Sequence, residues 1–133
     1  MPDEPIDSAE TASEAELTQY DKAYRETRRT IDEVIETLAI MAELEDSSIV
    51  VEQLVLKREE LESQRADLVR ANIAFHTGRA TMHPPSASLI REILTLSKKA
   101  VELTVQRATA AAVVRLATSA LNKFAEIQDI KQG

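Results

Sequence analysis

Residues 88–130 read SLIREILTLSKKAVELTVQRATAAAVVRLATSALNKFAEIQDI, and whether this run is one rod or two decides the fold. No Gly or Pro interrupts it, and Ala110, Ala111 and Ala112 are the strongest helix formers available. Between Val101 and Leu121 only Glu102, Gln106, Arg107 and Arg115 are strongly polar. Local propensity therefore predicts a single Ala-rich helix. Its apolar stripe does not hold one face, however. At about 100° per residue, Leu89, Ile93, Leu96, Ala100 and Leu103 share one side, while Val113, Ala117, Leu121, Phe124 and Ile127 gather on another. The simplest account is a helix with one set of neighbours in its first half and a different set in its second.

The chain before this run supplies two shorter partners. Residues 1–12 are acidic, polar and without apolar periodicity, so a disordered tail is expected there. Ser13 and Glu16 form a capping box that opens a helix near Glu14. From there Leu17, Tyr20, Tyr24, Thr27, Ile31, Val34, Leu38 and Met41 follow in alternating steps of three and four, a heptad-like seam. The pattern stops at Glu45-Asp46-Ser47-Ser48, whose Asp and Ser residues suit a helix N-cap. A short turn is expected there, with an uninterrupted helix as the rival reading. A second helix then carries Leu54, Leu61, Leu68 and Phe75, one large apolar residue in every seven. Residues 76–86, HTGRATMHPPS, form the one clear loop. Gly78 suits a helix C-cap, and Pro84-Pro85 exclude regular helix.

These spans, about 14–45, 49–75 and 88–130, define an all-α, antiparallel three-helix bundle running up-down-up. Residues 13–133 form its single helical domain. At ~1.5 Å per residue the third helix would reach roughly 65 Å and outrun its companions. The overhang would carry Val113, Ala117, Leu121, Phe124 and Ile127, which makes these five the expected contact for a second copy of the chain or a partner protein. The competing arrangement bends the helix back between Gln106 and Ala110 and closes a four-helix bundle within one chain.

Composition narrows the function more by exclusion than by assertion. Two glycines cannot build a phosphate-cradling loop, and the absence of Cys removes thiolate chemistry and disulfides. His76 and His83 stand alone on the loop, without the further ligands a metal site needs. No catalytic residue, metal or cofactor is expected. Nor does any run of about 18 apolar residues suggest a membrane span, so a cytoplasmic protein is the default. The net charge of −7 is uneven: residues 1–62 carry 18 acidic and 6 basic side chains, residues 63–133 only 5 acidic and 10 basic. Opposite halves that pack side by side would set their own register; alternatively, each could meet a partner of opposite charge, basic for the acidic half and nucleic acid for the basic half. The expected function is a non-catalytic interaction module of adaptor, chaperone or inhibitor type. The runner-up is a nucleic-acid-binding or regulatory protein using the basic half. Against it, the basic residues of the long helix form no single stripe and no aromatic platform accompanies them.

Overall fold

The computed structural model describes residues 14–82, 85–103 and 109–130. The expected acidic tail lies outside these, as does His83. Four helices are described: α1 (Glu14–Leu44), α2 (Ser48–His76), α3 (Ala87–Val101) and α4 (Ala110–Ala125). Two three-residue strands, β1 (Ala80–Met82) and β2 (Gln128–Ile130), pair antiparallel, with Thr81 opposite Asp129. The class is all-α, with this small ribbon as its one extended feature among the described residues.

α1 and α2 are separate helices, divided at residues 45–47. Ser47 caps α2 with its side chain accepting from the Val50 amide, while its own amide donates to Glu45 Oε2 at 3.0 Å. At the far end of α2, Gly78 takes φ +80°, a left-handed conformation that other residues enter at a cost.

The single long third helix is corrected. α3 ends at Val101, where the Leu103 amide turns back to the Ala100 carbonyl, and α4 starts afresh at Ala110. Thr109 is its N-cap, with Oγ1 accepting from the Ala112 amide at 3.1 Å. Up-down-up becomes up-down-up-down. The physical reason is the rotated stripe itself. One straight helix can aim only one face at α1, so it would leave Val113, Ala117, Phe124 and Ile127 in water. Two helices can aim both. Burying a Val, Phe or Ile side chain is worth about 1.5–3 kcal/mol each. Ala exceeds its neighbours in helix propensity by no more than about 0.7 kcal/mol per residue. Burial wins.

α1 is the shared axis, packed against each of the other three helices. Along it the core divides into two clusters. Toward the start of α1, Tyr20, Ala23 and Tyr24 meet Leu68 of α2, Ile90 and Ile93 of α3, and Phe124 and Ile127 at the end of α4. Farther along, Ile31, Val34, Ile35 and Leu38 meet Leu54 and Leu61 of α2 and Val113 and Ala117 of α4. The order of these partners shows that α2 and α4 run antiparallel to α1, while α3 runs parallel to it. The four aromatic residues of the chain all belong to the first cluster: Tyr20 stacks on Phe75 at 4.1 Å and lies 5.5 Å from Phe124, which in turn lies 6.0 Å from Tyr24.

Between the clusters α1 buries a polar layer. Ser97 of α3 donates to Glu26 Oε1 at 2.7 Å, and the Thr30 hydroxyl donates to the Glu26 carbonyl at 2.8 Å. Thr27 is fully buried there, and its hydroxyl has no partner among the described residues. A buried hydroxyl without a partner costs about 1–3 kcal/mol.

Two measurements check this core. Phe124→Ala should lower the unfolding free energy by about 3–5 kcal/mol. In urea titration the loss should be the same at low and high protein concentration, because the ring is buried within its own chain. Thr27→Val, which removes the orphan hydroxyl and keeps the shape, should raise stability by about 1 kcal/mol in the same assay.

Candidate interaction groove

α2 has apolar residues on more sides than it has helices to cover them. Leu54, Leu61 and Leu68 face α1 and are buried. Ile49, Leu56 and Ile73 remain exposed, at 70%, 59% and 54% respectively. The cause lies in the packing: α2 rests extensively on α1 and only lightly on α4, although α2 and α4 run in the same direction along α1. Where their N-terminal ends lie side by side they leave an apolar groove of about 670 Å³. Leu54 and Val50 of α2 and Ala110, Ala111 and Val114 of α4 form its floor and walls. Gln53 and Lys57 stand on one rim, with Arg115 and Thr118 on the other. Small residues account for the width, since alanines at the start of α4 cannot reach across to α2. At the α1–α2 turn Leu44 is likewise 67% exposed.

The five residues expected to form a docking stripe sit elsewhere. Val113, Ala117, Phe124 and Ile127 are fully buried in the chain's own core, and Leu121 is partly buried against the second cluster. The expectation of an open stripe is corrected: it assumed a rod running past its cover, and the turn back to α1 supplies that cover. The adjacent face of α4, roughly 100° around, is the one that lines the groove. Sequence reasoning missed it because its members, Ala110, Ala111, Val114, Arg115 and Thr118, form no continuous apolar stripe. One available signal was Thr109, a good N-cap residue immediately before three alanines.

Three acid–base side-chain pairs join neighbouring helices among the described residues. Arg65 of α2 donates to Asp32 of α1 at 2.8 Å, and His76 Nε2 lies 3.1 Å from Asp21 Oδ1. Lys123 of α4 meets Glu92 of α3 at 2.9 Å across a shallow depression between those helices. That hydrogen bond and the Glu92 charge raise the Lys123 pKa above the usual lysine value. Arg70 pairs with Asp67 within α2. Three basic side chains of the second half, Arg65, Arg70 and Lys123, thus meet acids of the same chain. Arg115, like Arg91, Lys98 and Lys99, makes no ion pair among the described residues.

No three acidic or imidazole side chains among the described residues gather closely enough to hold a metal ion, and no described helix is long and apolar enough to cross a membrane. No protein-family model, curated protein or solved structure matches the chain.

Proposed function

We propose that this chain is a non-catalytic interaction module, and that it receives the apolar face of a partner helix in the groove between α2 and α4. One observation carries the reading: two parallel helices lie side by side on α1 with little contact between them, and the gap has an apolar floor. A helix laid into such a gap meets neighbours on both flanks and on the floor, the arrangement by which amphipathic helices bind grooves through residues at i, i+3, i+4 and i+7. The volume falls within the range of ordinary binding pockets. Leu54 and Val114 lie deep enough to contact the large side chains of such a helix, while Gln53 and Thr118 can satisfy polar groups at its edge. An adaptor, chaperone or inhibitor would each use such a surface, in the cytoplasm or elsewhere. Self-association through this same groove is the special case in which the partner helix comes from a second copy.

A charge-neutral amphipathic peptide tests the groove alone. An 18-residue helix with a Leu stripe and otherwise Ala and Gln should shift the amide resonances of Val50, Gln53, Val114 and Thr118. It should leave Ser88, Arg91 and Thr95 of α3 in place. Ala111→Trp fills the gap from an exposed position and should abolish those shifts without lowering the melting temperature. Shifts spread evenly over all four helices, or unchanged by the Trp substitution, would remove the groove from consideration.

A further inference from the structure

The charge pattern of the groove goes beyond its shape and specifies the helix it fits. The chain carries −7 overall, and acidic residues outnumber basic ones by 23 to 16. Yet the charged residues that line the groove are both cations, Lys57 from α2 and Arg115 from α4, and no carboxylate lines it. Glu60 approaches Lys57 only at 3.8 Å, with both side chains more than half exposed. A pair of that kind is worth little and is easily exchanged for a better one. The first turn of α4 contains no acidic residue, so the positive end of that helix adds to the same field.

An apolar trough with a cation on each side is the complement of a helix with an apolar stripe and an acid on each flank. A basic or neutral helix would fill the trough equally well but would leave Arg115 facing no opposite charge and Lys57 with only its exposed contact to Glu60. We infer that the occupant of the α2–α4 groove is an acidic amphipathic helix of a partner protein, whose flanking carboxylates pair with Lys57 and Arg115. The inference rests on the reading of the groove as a docking site. It adds the sign of the partner's charge and names the two residues that select it. Arg115 is the stronger determinant, because its planar guanidinium can hold a carboxylate through two parallel hydrogen bonds, whereas Lys57 acts as a point charge.

Three versions of the same Leu-striped peptide test this, with the stripe flanked by Glu, by Gln or by Lys. Each is titrated into the protein by fluorescence anisotropy at low and moderate salt. The Glu version should bind about fivefold or more tighter than the Lys version at low salt, and the gap should shrink as salt rises. In Lys57→Glu with Arg115→Glu the order should invert. Both positions are exposed, so circular dichroism should show an unchanged melt and exclude misfolding as the cause. Equal binding of the Glu and Lys versions, with the Gln version still bound, overturns the charge assignment and leaves the groove standing. Failure of all three removes the groove as well. A concentration-dependent dimer in light scattering, abolished by Ala111→Trp, would make the occupant a second copy and overturn the inference in that way.

Discussion

The contact between Phe124 and the tyrosines of α1 holds the architecture in place. It can form only if the last helix returns to the beginning of the first, which requires the Ala-rich run to be divided. Once α4 lies on α1, Val113 and Ala117 fall against Ile31, Val34 and Leu38 without further adjustment. Tyr20 then stands between Phe75 and Phe124, so one ring joins α1, α2 and α4. In a chain with only four aromatic residues, placing all of them at one end concentrates the largest side chains where three helices must agree.

How far the fold was legible in the sequence follows from how local each decision is. The seam of α1 was readable because its period is a property of one helix. Tyr20, Tyr24, Thr27, Ile31, Val34 and Leu38 are all buried, and only the end members Leu17 and Met41 are partly open. The seven-residue repeat of α2 was readable for the same reason. The division of the last run was not, because both of its halves are good helices and the break between them is a tertiary outcome. Its trace was the rotated stripe, which fits a change of neighbour as well as a change of direction. The groove was less legible still. It depends on two helices far apart in sequence touching only lightly, and alanines leave no periodic mark by which to foresee that.

The charge asymmetry is read most simply as internal register. Asp21 and Asp32 of the acidic half meet His76 and Arg65 of the basic half. The polar layer around Glu26 complements this by penalising a sliding of α3 along α1, since a shift would separate Ser97 from its carboxylate. Such layers trade some stability for a single alignment. The groove differs in the sign of its lining, where Lys57 and Arg115 are the charged residues and no carboxylate takes part.

The short ribbon has a mechanical consequence. β1 follows α2 and β2 follows α4, so their pairing ties the C-terminal ends of these two helices together, while their N-terminal ends share only light contact. The pair is tied directly at this tip, while toward the other each helix is held through α1, with Leu54 and Val113 both buried against it. With the ribbon fixing one tip, the angle between the two helices sets how far apart their N-terminal ends stand. A small angular change near the ribbon therefore becomes a larger displacement some 20 residues away, about 30 Å along the helix.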